Sequence, residues 1–115
     1  MKYSGGCHCQ KIRFEVEGDI TRAMSCNCSI CSKRGHLLTF IPEESFKLLK
    51  GEESLRDYQF AKKHIHHYFC SSCGVGAFGA GTGPDGKKMR AINVRCLDNF
   101  DFEKIPIDKY DGKNV

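Results

Sequence analysis

The stretch Cys26-Asn27-Cys28-Ser29-Ile30-Cys31 sets three thiols within six residues. Three thiolates can occupy three corners of a zinc tetrahedron, and unless a fourth ligand arrives from elsewhere, one corner stays open to substrate. Two further pairs, Cys7-His8-Cys9 and Cys70-Ser71-Ser72-Cys73, supply four more sulfurs, enough for a separate closed site. One structural and one reactive zinc follow, set in a small fold whose metal loops lie between strands.

The spacing of the pairs has structural content. In an extended strand residues i and i+2 lie about 6.5 Å apart, further than two ligands of one tetrahedral zinc, so the backbone of Cys7-x-Cys9 must bend. Gly5 and Gly6 just upstream supply the φ freedom for such a bend. Cys70-x-x-Cys73 followed by Gly74 has the spacing of a zinc knuckle, and joining it to Cys7 and Cys9 would clamp distant parts of the chain together. Spacing alone leaves other partitions open, Cys7 and Cys9 with Cys28 and Cys31 among them. A redox role for Cys70 and Cys73 is disfavoured, because Gly-Val-Gly-Ala-Phe after them argues for a strand rather than the start of a helix. Cys96, with no cysteine near it in sequence, reads as a small buried apolar side chain.

At 115 residues the chain fits one domain, spanning residues 1–115. A domain of this size buries roughly two-thirds of its unfolded surface, and metal cross-links would add to its stability. Met1-Lys2-Tyr3-Ser4-Gly5-Gly6 has no apolar leader core, and no run approaches the roughly 18 apolar residues of a membrane span, so the expected location is cytoplasmic. In that reducing compartment the eight cysteines are thiols or metal ligands rather than disulfides. The formal net charge of +4 counts them as neutral; seven thiolates and two zinc ions would leave +1. With lysines and arginines scattered, neither a nucleic-acid nor a membrane partner is expected.

Periodicity predicts a mainly β fold. Lys11 to Val16 alternates, with Ile12, Phe14 and Val16 on one face. Ala23 to Ser25 leads, extended, into the triple-cysteine stretch, which reads as a loop ending near Gly35. Leu37 to Ile41, stopped by Pro42, then Phe46 to Leu49 and Leu55 to Phe60 read as short strands. His64 to Phe69 runs into Cys70, and Val75 to Ala80 follows the knuckle. Gly81 to Gly86 is a turn cluster, and Met89 to Cys96 is a last β-like run. The tail holds Phe100, Phe102, Ile105 and Ile107 at a spacing that suits a strand or a segment lying along the sheet.

Gly6-Cys7-His8-Cys9 ahead of Phe14-Glu15-Val16, Cys26-Asn-Cys-Ser-x-Cys31 ahead of Gly35, and Phe69-Cys-x-x-Cys-Gly74 together resemble the glutathione-dependent formaldehyde-activating enzyme family, which includes centromere protein V. Asn93-Val-Arg-Cys-Leu-Asp98 is similar to that family's late strand. The resemblance implies a single-domain β-tent fold, shared with a zinc-containing exchange-factor-like group, and two zinc ions per chain. It implies that Cys7, Cys9, Cys70 and Cys73 hold the structural zinc, and that Cys26, Cys28 and Cys31 hold the catalytic one. The activity it implies is that of a carbon–sulfur lyase acting on thiol–aldehyde adducts, as in S-(hydroxymethyl)glutathione formation. The small-molecule partners would be a thiol such as glutathione and a small aldehyde, here formaldehyde.

Three thiolates with Zn2+ sum to −1, which favours carrying a thiolate over activating water. Lys33 and Arg34, next to the last ligand, are placed to soften that charge and to receive carboxylates of a peptide-like thiol. Among the histidines, His8 points away from the metal, while His36, His64, His66 and His67 are candidate proton carriers, with His64 and His66 on one strand face. Tyr3, Tyr58 and Tyr68 are pocket candidates, although aromatics on β-like segments more often belong to the core or the sheet surface. Two other classes fit the same residues: a non-catalytic zinc protein that binds glutathione or a related thiol, and a structural or interaction module. The last requires a fourth protein ligand at the triple site.

Overall fold

A computed structural model describes residues 1–60 and 65–114. The alternation from Lys11 to Val16 buries Ile12, Phe14 and Val16 together, each no more than 1% exposed. It does so by running β2 (Arg13–Glu17) antiparallel between β1 (Lys2–Gly6) and the later β5 (Phe46–Lys50). The register shift between Arg13 and Phe14, opposite Lys50 and Leu48, leaves Leu49 as an extra residue and marks a bulge in β5. β3 (Ala23–Cys26), α1 (Cys31–Arg34) and β4 (Leu38–Pro42) come between the two. The remaining strands are β6 (Leu55–Tyr58), β7 (His66–Cys70), β8 (Phe78–Thr82), β9 (Lys88–Asn93) and β10 (Ile107–Tyr110).

Two sheets result. The smaller has the order β1-β2-β5, and the larger runs β10-β3-β4-β9-β8-β7-β6. Every pairing is antiparallel except β10 with β3, which sets Tyr110 opposite Cys26. The core lies between the sheets. Phe14 stacks on Phe46 with centroids 5.6 Å apart, Phe46 meets Phe78 at 4.6 Å, and Phe78 meets Tyr68 at 5.3 Å. Such contacts add about 0.5–1.5 kcal/mol each beyond the area they bury. Ile41, Ala80 and Ile92 cover the same inner face of the larger sheet. By the two-residue period, Leu38, Phe40, Met89, Ala91 and Gly81 stand on its outer face.

Several boundaries differ from the sequence reading. The triple-cysteine stretch is not all loop, because Cys31 opens a single helical turn closed by Gly35 at φ +68°. β8 starts only at Phe78, three residues later than expected, and runs on to Thr82. β9 ends at Asn93, where the Asn side chain accepts from the Arg95 N–H and turns the chain into a 3-10 helix over Val94–Cys96. The tail does both things expected of it. Phe100, Phe102 and Ile105 pack along the core, and β10 then joins the sheet edge.

Candidate metal centres and the groove beside them

The first thiol cluster is built by two turns. After β1 the chain folds back, with Cys7 N–H donating to Ile12 O at 3.2 Å and Gln10 N–H to Cys7 O at 3.3 Å. Left-handed backbone falls at Gln10, φ +68°, and not at Gly5 or Gly6. Those glycines have another reason. A Cβ on Gly5 would stand 2.6 Å from Cys96 O, and one on Gly6 would stand 2.2 Å from Ile12 O. They are small because other backbone passes over them, which corrects the reading that they supply φ freedom for the bend. The second turn closes β7. Gly74, φ +78°, donates to Cys70 O at 2.8 Å, and Cys70 donates to Val75 O at 3.1 Å. Lys11 Nζ reaches Ser72 Oγ at 2.9 Å and ties the two turns together.

The four sulfurs of Cys7, Cys9, Cys70 and Cys73 then lie within 4.8 Å of one another, with Cys7–Cys9 and Cys9–Cys70 both 3.6 Å. A tetrahedron with Zn–S bonds of about 2.3 Å has edges of about 3.8 Å, so the donor set fits zinc. The Ile12 and Ser72 N–H groups donate to Cys7 Sγ and Cys70 Sγ, each at 3.4 Å, and favour thiolates. Cys73 is drawn down to about 6: burial opposes this, but the Val75 and Cys9 N–H groups and the Cys70 and Cys7 thiols outweigh it. Cys96 is no member of the cluster. Burial pushes its thiol up to about 11, with Cys7 and Cys73 adding to the rise, so it stays a neutral packing residue.

Cys26, Cys28 and Cys31 form the second cluster, with all three sulfurs within 4.8 Å, and among the described residues no fourth His, Cys, Asp or Glu joins them. Residues Tyr110, Asp111 and Gly112 fasten the loop that carries them. Asn27 donates from its backbone to Tyr110 O at 3.2 Å and from its side chain to Asp111 Oδ1 at 2.8 Å. A Cβ on Gly112 would meet Cys26 Sγ at 2.6 Å. Burial first, and then Cys28 and Cys26, push Cys31 up to about 12. Burial also opposes ionisation of Cys28, but N–H groups of Cys31 and Ile30 and the neighbouring thiols pull it down. Three thiols that resist joint ionisation are a donor set suited to a cation.

This cluster opens onto a groove of about 750 Å³ on the outer face of the larger sheet. Arg34 and His36 line it at the cysteine end, as does His67, whose strand position faces Gly79. Burial lowers the Arg34 guanidinium from its ordinary value, an effect Cys31 opposes. Burial lowers His36 to about 4, helped by Arg34, His67 and Arg95, and burial with Arg34 lowers His67. Lys33 is exposed and does not line the groove, so only Arg34 of the expected pair faces it. His66 also borders the groove, with its Nδ1 2.6 Å from Asp57 Oδ2 and its ring stacked on Tyr68. His8 is exposed on the first turn, and His64 lies outside the described residues. Tyr3 packs on Phe100, Tyr58 on Phe60 and Tyr68 on Phe78, and none of them lines the groove.

Tyr110, Met24 and Asn93 do line it, and the sequence reading singled out none of them. The signal that could have pointed to the groove is Leu37 to Ile41, whose nearly continuous apolar character means that both faces of that strand have an apolar neighbour.

Comparison with known proteins agrees with this geometry. A family model described as glutathione-dependent formaldehyde-activating enzyme matches residues 2–109. The chain is also similar to a Rhodobacter sphaeroides protein of known crystal structure, a structural-genomics target. The TM-score is 0.79 at 27% identity, covering 90% of this chain and 98% of that one.

Proposed function

We propose, since the chain belongs to the glutathione-dependent formaldehyde-activating enzyme family, that it catalyses reversible carbon–sulfur bond formation between a thiol and an aldehyde, a carbon–sulfur lyase reaction in the direction of breakdown. The single observation that carries this reading is the second thiol cluster, three donors without a fourth protein ligand among the described residues, opening onto a groove. In the addition, the thiol sulfur bonds to the carbonyl carbon, the carbonyl electron pair moves to oxygen, and that oxygen takes up the proton the thiol releases. Zinc held by Cys26, Cys28 and Cys31 would supply the positive charge that keeps an incoming thiol ionised at neutral pH. Arg34 offsets the negative charge of the cluster and receives a carboxylate of the thiol. His36 and His67, kept neutral by burial and by Arg34, stand at the same end of the groove to pass the proton to the carbonyl oxygen.

A second zinc at Cys7, Cys9, Cys70 and Cys73 has a structural role in this reading, and glutathione is the thiol that the family description favours. None of the eight cysteines is joined in a disulfide, and metal-bound and free thiols suit a reducing compartment such as the cytoplasm. No helix among the described residues is long and apolar enough to cross a membrane. The test is adduct formation from glutathione and formaldehyde, followed by NMR against the uncatalysed background. The zinc-loaded chain exceeds that background at least tenfold, and Cys31→Ala returns the rate to it. A loaded chain that never exceeds background overturns the reading.

A further inference from the structure

The groove is far larger and more apolar than formaldehyde requires. Its floor is the outer face of the larger sheet, with Met24, Leu38, Phe40, Met89, Ala91 and Gly81 side by side on neighbouring strands. Phe40 is 49% exposed there, and Gly81 leaves the floor flat beside Met89. The volume of about 750 Å³ lies within the range of pockets that enclose drug-sized molecules. Arg34, which feels the Cys31 thiol, lines the groove at the thiol end together with His36 and His67, both close enough to Arg34 to feel its charge. At the far end the Asp85 carboxylate already accepts the Lys87 N–H at 3.0 Å.

Two ligand properties follow. A peptide-like thiol carries carboxylates and an ammonium group, and setting these on a hydrocarbon floor would cost their hydration without return. Its polar body therefore belongs at the Arg34 end. Formaldehyde, with a single carbon, would leave the floor wet. The remaining reactant is the one able to bring hydrocarbon to it.

On the basis of the thiol–aldehyde reading above, we propose that the groove binds the hydrocarbon portion of a larger aldehyde, of medium-chain alkyl or aryl type. Its carbonyl carbon then lies at the thiol cluster and its chain runs along β4, β9 and β8. The adduct is a hemithioacetal formed as above, with the S–C bond made and the proton moved from sulfur to oxygen, and no other reactant is consumed.

The groove can be probed apart from turnover with n-alkanols from methanol to octanol, which fill the same space without adding to thiols. Their binding to the zinc-loaded chain is followed by NMR at the methyl groups of Met24 and Met89. Affinity rises about three- to fourfold per methylene, in line with burial of hydrocarbon. Gly81→Val, whose Cβ meets only Ile65 Cγ1 at an ordinary 3.6 Å, cuts the octanol-to-butanol affinity ratio at least fivefold while circular dichroism reports an intact fold. With one thiol, background-corrected kcat/KM for octanal exceeds that for formaldehyde at least tenfold. Affinity independent of chain length, shifts confined to other methyl groups, or a dimer in sedimentation that covers Met24 and Met89 overturns the proposal. An alkanol gradient without turnover of any aldehyde overturns the catalytic reading and leaves the groove a hydrocarbon site. Formaldehyde turnover without a gradient does the reverse.

Discussion

His36 is a neutral imidazole by position. Burial, then Arg34, His67 and Arg95, lower it from about 6.5 to about 4. In the unfolded chain it takes up a proton as the pH falls through its ordinary value, whereas in the folded chain it waits until about pH 4. Between those limits the unfolded state holds more protons, so the contribution to stability is complete above about pH 6.5 and is lost as the pH falls toward 4. On lowering the pH from 7 to 4.5, the unfolding temperature of the native chain should fall about 2–5 °C further than that of His36→Gln. The low end of this range is expected because the ring is only partly buried. Acid loss of metal is common to both chains and cancels in the difference, so parallel calorimetric curves would contradict the assignment. The sequence marked His36 only as one of several histidines. Arg34, two residues before it, is a local neighbour, but the burial that comes first and the approach of His67 from β7 and of Arg95 depend on distant parts of the chain.

Elements show most clearly what the sequence could tell. Strand β2 was legible, since alternation alone puts Phe14 and Val16 on one face, and the knuckle at Cys70 was legible from its spacing and Gly74. Gly5 and Gly6 were recognised as special for the wrong reason, because what requires them is backbone passing close by, Cys96 from distant sequence over Gly5 and Ile12 from the following turn over Gly6. This difference can be measured. Gly5→Ala forces a methyl group against Cys96 O and the Phe14 ring and should cost about 1–3 kcal/mol in denaturant unfolding. Gly86→Ala, at φ +81° with open space around the new carbon, meets only backbone strain and should cost about 1 kcal/mol. Equal costs would mean that the close approach at Gly5 is unimportant. Strand β10 was the least legible element. Ile107 to Tyr110 is exposed throughout, so no buried face specifies its register. Its place depends instead on the Arg22–Asp108 ion pair, with 2.8 and 2.6 Å contacts, and on the bonds from Asn27.

At the scale of the whole molecule, the two thiol clusters differ in reach. The first joins the turn after β1 to the turn after β7, one from each sheet, whereas the second closes a six-residue loop between β3 and α1. Metal at the first therefore restrains the unfolded chain far more. Cys73→Ser should lower the unfolding temperature by about 10 °C or more, while Cys28→Ser lowers it by less than half as much. Native mass spectrometry should show two zinc ions in the native chain and one in each variant. A larger loss for Cys28→Ser would reverse the roles given to the two clusters. The division of sulfurs into four and three rested on resemblance at first, since spacing alone allowed others, and folded geometry now supports it independently. The parallel pairing of β10 with β3 also bears on how the molecule is made. Cys26 leaves the ribosome well before the strand that borders it and the glycine against its sulfur, which follow it by more than 80 residues in sequence. A growing chain can thus close its long-range thiol clamp once Cys73 has emerged, before β10 and Gly112 are there to complete the surroundings of the Cys26–Cys31 loop.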